Sequence, residues 1–262
     1  MENGIGVAVV TGASQGIGRR TAEVLAGRGY ALALNDIQSL QGTLESAQAL
    51  GVRAIAVPGN VTSESEVERI ARTVHEQYGK VDVLVNNAGI SLIRPAEHTT
   101  IEEWRRVLDV NLTGPFLLCR AFGKLMLQQG EGAIVNVASV AGLAGIGDRA
   151  AYNASKHGLI GLTRTLASEW GGRGVRCNAV CPGWVKTEMD VADQAGGYYR
   201  DDDIENRVPM ARFARPTEVA EAIAFLADPK RSGFVNGMEL RVDGGWLADG
   251  GWDSLRLTHR GA

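Results

Sequence analysis

The chain has 262 residues, of which 45% are hydrophobic and 22% charged, and its formal net charge is −3. This balance allows a large buried core, argues against global disorder and offers no basic surface to a nucleic-acid partner. The most apolar stretch, residues 133–147, is too short and too rich in glycine to span a bilayer, and the N-terminal residues lack the pattern of a signal peptide. We therefore expect a cytoplasmic protein with no membrane and no nucleic-acid partner.

Short apolar runs alternate with helical patterns along the chain. Strands are predicted at residues 6–10, 31–34, 53–57, 81–85, 133–137, 175–180 and 238–242. Helices are predicted at residues 17–28, 40–50, 64–78, 101–128, 151–170 and 217–226. Strands that are apolar on both faces and alternate with helices predict an α/β fold: a doubly wound parallel sheet of seven strands with helices on both faces.

No linker interrupts this series, so we expect one domain over residues 1–262. The least regular segment, residues 184–214, contains Gly196-Gly197 and an acidic run at residues 201–203. Long loops in compact domains are often lids, and we expect this segment to form a substrate loop. The acidic run is predicted to be a solvated surface turn.

Three cysteines occur, and none has the partners that a metal site needs. Cys177 and Cys181 are spaced C-x3-C, and no second cysteine pair or histidine cluster follows them. We therefore predict free thiols in the core and no metal.

A glycine-rich turn at residues 11–18 lies between the first predicted strand and the first predicted helix. Gly12 permits a sharp turn, Gly16 lets the backbone approach a pyrophosphate, and Gly18 lets the helix pack closely. Backbone N–H groups and the helix dipole at such a turn favour phosphate charge. The strand before it and the helix after it make a dinucleotide site the preferred interpretation over a purely structural turn.

Asp36 lies at the end of the second predicted strand. A carboxylate at this position can accept hydrogen bonds from both adenosine ribose hydroxyls, and it would repel a 2′-phosphate. Neither Gln15 nor Asn35 offers the arginine that an NADP site would need. The sequence therefore predicts NAD as the cofactor; the alternative is that Asp36 only caps the next turn.

Polar residues also follow the fourth and fifth predicted strands. Asn86-Asn87-Ala88-Gly89 suits cofactor contact, a turn that braces the sheet, or both, and Ser139 ends the fifth strand. Tyr152 and Lys156 share one helix face, about 6 Å apart along the axis. A free tyrosine has a pKa of about 10, and a nearby ammonium and the positive nicotinamide of the oxidised cofactor are expected to lower it. This grouping predicts an acid/base site, although the Tyr-x3-Lys spacing alone also occurs as a surface pair.

Taken together, these motifs resemble the short-chain dehydrogenase/reductase family, in its compact single-domain branch with a Rossmann fold, over essentially the whole chain. The matching motifs are Thr11-Gly12-x3-Gly16-x-Gly18, Asn86-Asn87-Ala88-Gly89, Asn111, Ser139, Tyr152-x3-Lys156 and Pro182-Gly183. The resemblance implies that Tyr152 is the general acid/base, that Lys156 binds the nicotinamide ribose and tunes the tyrosine, and that Ser139 orients the substrate. Asn111 would hold a water that relays protons from Lys156, or would be a satisfied polar group at a helix kink.

The resemblance also implies a set of cofactor-binding residues. Val185 and Thr187 would engage the nicotinamide carboxamide, and Asn60 would contact adenine through its carbonyl where the family often has aspartate. The expected set is Gly12, Ser14, Gln15, Gly16, Ile17, Gly18, Asp36, Asn60, Val61, Asn87, Ala88, Gly89, Tyr152, Lys156, Pro182, Gly183, Val185 and Thr187.

The substrate is predicted from the segments expected to surround the acid/base site, which are residues 91–94, 141–149 and 184–214. Their polar residues favour a sugar, a sugar acid or a polyol. The expected substrate residues are Ser139, Arg149, Trp184, Tyr198 and Arg200.

Two other functions are compatible with the resemblance. Reduction of a 3-oxoacyl group on a carrier protein is one, but enzymes of that type usually prefer NADP and Asp36 argues against it. A non-catalytic NAD-binding regulator is the other, and the complete set of Asn111, Ser139, Tyr152 and Lys156 argues against that.

The resemblance further implies a homotetramer that pairs through the long helices at residues 101–128 and 151–170. These helices carry apolar residues beyond what a sheet needs, such as Leu112, Phe116, Leu159 and Leu162, although core packing would also explain them. The tail at residues 242–252 has two tryptophans among glycines and is expected to cross a subunit interface or cover a neighbouring pocket.

Overall fold

The computed structural model describes residues 5–251 and contains a parallel seven-stranded sheet with the strand order β3-β2-β1-β4-β5-β6-β7. The strands are β1 Gly6–Thr11, β2 Tyr30–Asn35, β3 Ala54–Ala56, β4 Val83–Asn86, β5 Gly132–Val137, β6 Val175–Pro182 and β7 Glu239–Val242. The predicted doubly wound α/β fold is confirmed.

Helices cover both faces of the sheet. They are α1 Gly16–Gly27, α2 Gln41–Ala49, α3 Glu64–Tyr78, α4 Ile101–Leu108, α5 Gly114–Gln129, α6 Ala150–Trp170, α7 Glu188–Ala195, α8 Asp201–Arg207, α9 Pro216–Ala227 and α10 Pro229–Ser232. Helices α1, α2 and α9 pack on one face, and α3, α5 and α6 pack on the other. In β1 the two faces alternate, because Ala8 and Val10 belong to the first cluster and Val7 and Val9 to the second.

Helix α3 shows why several boundaries were predictable. Ser63 caps its first turn by accepting a hydrogen bond from the Glu66 amide. Gly79 ends it in the left-handed conformation, at φ 73°. The observed range, Glu64–Tyr78, is the predicted one.

The helix predicted at residues 101–128 is interrupted. A π-helical turn, Asp109–Thr113, separates α4 from α5. Such a turn inserts an extra residue into the helical ladder and is frequent at functional sites. Asn111 lies in this turn and is 1% exposed, so the helix is interrupted where a kink was one of the two alternatives for this residue.

The segment at residues 184–214 is more regular than predicted. It contains α7 and α8, and the acidic run at residues 201–203 forms the first turn of α8. The helix dipole stabilises carboxylates in a first turn. The acidic run therefore begins a helix, whereas a solvated surface turn was predicted. Asp203 accepts a hydrogen bond from the Arg200 amide at 2.8 Å.

The three cysteines are free and buried. Among residues 5–251, no cluster of His, Cys, Asp or Glu side chains is suited to hold a metal. In the same range, no helix is long and apolar enough to cross a membrane.

The apolar residues of the long helices have different surroundings. Leu159 is buried, and Leu112 and Leu162 pack beside it. Phe116 is 45% exposed on α5. The homotetramer stays a prediction.

The tail at residues 242–252 is only partly described. Trp246 packs against Trp184 of the same chain, with ring centroids 5.2 Å apart and planes tilted by 58°. Trp252 lies outside the described residues.

A buried polar network joins the middle of the sheet to α6. Asn86 Nδ2 donates to Asn136 Oδ1 at 2.8 Å, and Asn136 Nδ2 donates to Thr163 Oγ1 at 2.9 Å. All three residues are almost fully buried. Polar groups at this depth are stabilising only while they stay paired.

We expect Asn136→Ala to lower the free energy of unfolding by about 1–3 kcal/mol, because it leaves an Asn86 donor and a Thr163 acceptor unpaired in the core. Urea unfolding measures this. The exposed substitution Gln48→Ala is the control, and it should change stability by about 0.5 kcal/mol or less. Equal effects of the two substitutions would contradict a stabilising network.

Candidate functional site

A cavity of about 690 Å³ opens along the carboxyl ends of the strands. It crosses the point where the strand order reverses, between β1 and β4. Ligands of doubly wound sheets bind at such a reversal, because the loops that leave neighbouring strands diverge there and form a crevice.

Nearly all predicted site residues line this cavity. From the expected cofactor and substrate sets, these are Gly12, Ser14, Gln15, Gly16, Ile17, Asp36, Asn60, Val61, Asn87, Ala88, Gly89, Ser139, Arg149, Tyr152, Lys156, Pro182, Gly183, Trp184, Val185 and Thr187. The structure does not place Gly18, Asn111, Tyr198 or Arg200 among the lining residues.

The glycine turn is packed too closely for side chains. A Cβ on Gly12 would lie 2.8 Å from Ala88 Cα, and a Cβ on Gly18 would lie 2.0 Å from Gly12 O. Gly12 and Gly16 also have positive φ angles, of 63° and 53°. Gly18 therefore supports the turn from behind, and Gly12 and Gly16 face the cavity.

The polar residues at the end of β4 brace this turn. Asn87 Nδ2 donates to Thr11 O at 2.9 Å and to Gly12 O at 3.0 Å. Thr11 Oγ1 accepts the backbone amides of Asn87 and Ala88, both at 3.1 Å. Asn87 and Ala88 also line the cavity, so both interpretations of this motif are compatible with the geometry.

Asp36 stands at the β2 end of the cavity. Its Oδ2 accepts the Ser14 amide, and its Oδ1 accepts the Gln38 amide, each at 3.0 Å. The carboxylate thus fixes the glycine turn and the next turn at once. It remains part of the cavity wall, so capping and ligand binding do not exclude each other here.

Asn60 differs from the expectation. It lines the cavity, but its Oδ1 accepts hydrogen bonds from Thr62 N at 3.0 Å and Thr62 Oγ1 at 2.9 Å. The carbonyl expected to meet an adenine amino group therefore has both lone pairs engaged within its own turn.

Ser139, Tyr152 and Lys156 meet at the β5 end of the cavity. Lys156 Nζ lies 5.5 Å from the Tyr152 ring centroid and donates to Val137 O at 2.8 Å. Ser139 Oγ accepts the Ala141 amide at 3.1 Å and so begins the turn after β5. The strand end and α6 together hold the three side chains in one place.

Burial controls the protonation of this group. Burial raises the pKa of Tyr152, and the charge of Asp193 raises it further. The hydrogen bond with Ser139 and the charge of Arg149 act to lower it. The predicted lowering depends on the ammonium and the oxidised nicotinamide together; in the chain itself burial outweighs the contacts with Ser139 and Arg149 that lower this pKa. Burial also lowers the pKa of Lys156 from 10.5 to about 8.

Asn111 lies behind these residues. Its Oδ1 accepts Ile90 N, and its Nδ2 donates to Ile90 O, both at 2.9 Å. Nδ2 also donates to Ser155 Oγ at 3.2 Å. A Cβ on Gly89 would lie 3.3 Å from Asn111 Oδ1 and 3.7 Å from Lys156 Nζ, so glycine here lets the π-helical turn approach the lysine.

Arg149 is held at the cavity wall near Tyr152. Its Nη1 donates to Ser91 Oγ at 2.7 Å, and its Nη2 donates to Asp193 Oδ2 at 3.1 Å. Ser91 Oγ donates to the same Asp193 oxygen at 3.0 Å. The Arg149 guanidinium carbon lies 6.0 Å from the Tyr152 ring centroid.

The lining residues outside the expected substrate set include Asp190 and Asp193, which were missed from the sequence, and Tyr199. Tyr198, which belongs to the expected set, is 58% exposed, and Arg200 precedes α8 on the surface. The i,i+3 spacing of the two aspartates would have placed them on one helix face, but that signal has meaning only once α7 is known to be helical.

The family model described as enoyl-(acyl carrier protein) reductase matches residues 12–247. A 3-oxoacyl-[acyl-carrier-protein] reductase from Synechocystis sp. is 42% identical over 244 residues, which cover 92% of this chain and 96% of the relative. A D-threitol dehydrogenase from Mycolicibacterium smegmatis is 40% identical over 242 residues, which cover 92% of each chain.

A solved structure is similar to this chain in both sequence and fold. It is described as a putative NAD(P)-dependent gluconate 5-dehydrogenase from Beutenbergia cavernae with bound NADP, and it is 41% identical. The TM-score is 0.88, with 94% of this chain and 98% of that chain covered. The chain belongs to the short-chain dehydrogenase/reductase family. It is an oxidoreductase of the class that acts on CH–OH donors and binds a nicotinamide cofactor.

We expect Lys156→Met to change how the free energy of unfolding depends on pH. The pKa of Lys156 is about 8 in the fold and 10.5 ordinarily, so burial of the ammonium destabilises the fold fully below about pH 8. Between about pH 8 and pH 10.5 the folded chain loses this proton while the unfolded chain keeps it, so the penalty is relieved as pH rises. The wild type should gain stability relative to Lys156→Met across that window, as measured by urea unfolding at fixed pH.

The control is Lys124→Met, since Lys124 is exposed on α5. The difference in free energy of unfolding between Lys124→Met and the wild type should not change with pH over this range. If the difference for Lys156→Met is also independent of pH, the lowered pKa of Lys156 is contradicted.

Proposed function

We propose that this protein is an NAD-dependent dehydrogenase that interconverts a secondary alcohol, or a hemiacetal, and a carbonyl on a sugar, sugar acid or polyol. The observation that carries the cofactor choice is the Asp36 carboxylate in the cavity wall beside the glycine turn. A 2′-phosphate would meet this negative charge, whereas ribose hydroxyls would find an acceptor.

The residues present fit a dinucleotide. The turn at Gly12 and Gly16 leaves no side chain between the backbone and the cavity, and α1 starts there with its positive dipole end. Val185 and Thr187 also line the cavity, after Pro182-Gly183 in the chain. When bound, the nicotinamide ring gives or takes the hydride.

The chain's own residues handle the proton. Tyr152 takes the hydroxyl proton in oxidation and returns it in reduction, and Ser139 holds the substrate oxygen by hydrogen bond. Lys156 holds the nicotinamide ribose, and Asn111 positions the Ile90 backbone beside it. Burial raises the pKa of Tyr152, so its phenol holds a proton at neutral pH and can donate it in reduction.

The substrate class is supported by the wall next to Tyr152. Arg149, Asp193 and Tyr199 present charged and hydroxyl groups to the cavity, and an apolar ketone would leave them unpaired. The relative described as D-threitol dehydrogenase supports the same class.

A second candidate is reduction of a 3-oxoacyl group on acyl carrier protein. It is favoured by the relative of that description at 42% identity. Turnover of acetoacetyl-coenzyme A with NADPH, compared with NAD reduction by polyols, separates the two. Faster turnover of the thioester would replace the polyol proposal.

For the cofactor, we expect Asp36→Ala to reduce the ratio of kcat/KM with NAD to kcat/KM with NADP by about tenfold or more, because the charge that repels the 2′-phosphate is removed. Steady-state kinetics with both cofactors measure the ratio. Glu76→Ala, at an exposed acid of α3, is the control and should leave the ratio unchanged. A wild type that uses NADP as well as NAD would overturn the cofactor choice.

For the acid/base role, we expect Tyr152→Phe to lower kcat by about 10²–10⁴-fold while the protein still binds NADH, since only the proton-transfer group is lost. Tyr198→Phe is the matched control, because the structure places that hydroxyl outside the cavity. Binding is followed by NADH fluorescence. Undiminished turnover by Tyr152→Phe would remove Tyr152 from the mechanism.

A further inference from the structure

We infer that the substrate is an uncharged polyol and that the Arg149–Asp193 ion pair selects it against sugar acids. This inference rests on the proposed function and narrows its substrate class. It goes beyond the sequence, which left sugars, sugar acids and polyols equally open.

The pair is a fixed part of the wall and not a mobile surface contact. The side chains of Arg149 and Asp193 are only 12% and 17% exposed, and both line the cavity. Ser91 ties them together by contacting each partner. A guanidinium engaged in this way has its charge balanced by the adjacent carboxylate, so it offers little to a second carboxylate.

The same pair lies near the reacting end. The Arg149 guanidinium carbon lies 6.0 Å from the Tyr152 ring centroid, and the Lys156 ammonium, a separate charge, lies 5.5 Å from it. Arg149 lowers the pKa of Tyr152 and Asp193 raises it. The formal charges of Arg149 and Asp193 sum to zero, so the pair adds no net charge beside Tyr152.

The other charged residues that line the cavity from α7 are acidic, Asp190 and Glu188. Asp190 is 5% exposed and accepts the Tyr199 hydroxyl at 2.8 Å. Its charge is balanced by Lys186, which pairs with it at 3.3 Å and also with Asp201 and is not among the lining residues. Helix α7 therefore offers no cation to an anionic substrate.

Two other guanidinium groups, Arg105 and Arg106, line the cavity from α4. Both are exposed, and Glu102 and Asp109 accompany them on the same stretch of the wall. Solvent and neighbouring acids screen their charge. They do not give the cavity the buried, unbalanced cation that a carboxylate ligand would need.

Neutral hydroxyl groups match this wall. Arg149 and Ser91 both donate their hydrogen bonds to Oδ2 of Asp193. Among the described residues, Oδ1 of Asp193 is therefore left to accept a hydrogen bond from a ligand. A hydroxyl next to the reacting carbon can donate to that oxygen and accept from a neighbouring donor. A carboxylate in the same place would bring a second negative charge against Asp193, so it would bind less tightly than the hydroxyl.

The test compares matched substrates that differ only in one terminal group: xylitol with xylonate, and sorbitol with gluconate. NAD reduction is followed at saturating NAD. We expect wild-type kcat/KM for each polyol to exceed that for its aldonate by about tenfold to a hundredfold.

Two variants change the charge balance in opposite directions. Asp193→Asn leaves the Arg149 charge unbalanced, and the polyol-to-aldonate ratio should fall by about tenfold or more. Arg149→Gln leaves Asp193 unbalanced, and aldonate turnover should fall further below that of the polyol. Asp202→Asn, an exposed acid on α8, is the control. Thermal unfolding verifies that each variant is folded.

The outcomes separate the two claims. If the wild type prefers aldonates, or if Asp193→Asn leaves the ratio unchanged while remaining folded, this inference is wrong and the dehydrogenase proposal stands. If neither set of hydroxylated substrates is turned over but another alcohol or carbonyl is, the proposed substrate class fails and this inference fails with it.

Discussion

The contact between the glycine turn after β1 and the end of β4 is the constraint on which the site depends. Asn87 spans the gap with two hydrogen bonds to the turn, and Gly12 has no Cβ because Ala88 occupies that space. This contact fixes the chain two residues before Gly89, beside which Asn111 and Lys156 both lie. The glycine turn and the Tyr152–Lys156 group are thus parts of one packed unit.

Burial gives the acid/base group its electrostatic character. Tyr152 and Lys156 are both removed from water, so each is pushed towards its neutral form, the phenol upward in pKa and the ammonium downward. An incoming charge next to this buried pair has a larger effect than it would have in water.

The sheet, the covering helices and most of the cavity wall could be predicted because their signals are local. Apolar strands, the Ser63 and Gly79 caps, and the glycine spacing each act within a few residues. The π-helical turn at Asn111 could not be predicted, since one inserted residue hardly alters hydrophobic periodicity. Helix α7 was missed because a short helix carries little periodic signal, and Asp190 and Asp193 were missed with it. The pKa of Tyr152 depends on burial, which only the packed structure reveals.

The tilted contact between Trp184 and Trp246 has an optical consequence. One indole forms part of the cavity wall, and the other packs behind it, 5.2 Å away. Two chromophores at this separation share excitation, so a molecule that enters the cavity and touches the first alters the emission of both. The protein thus carries an intrinsic fluorescent reporter at the mouth of its own site, which responds to occupancy without any added label.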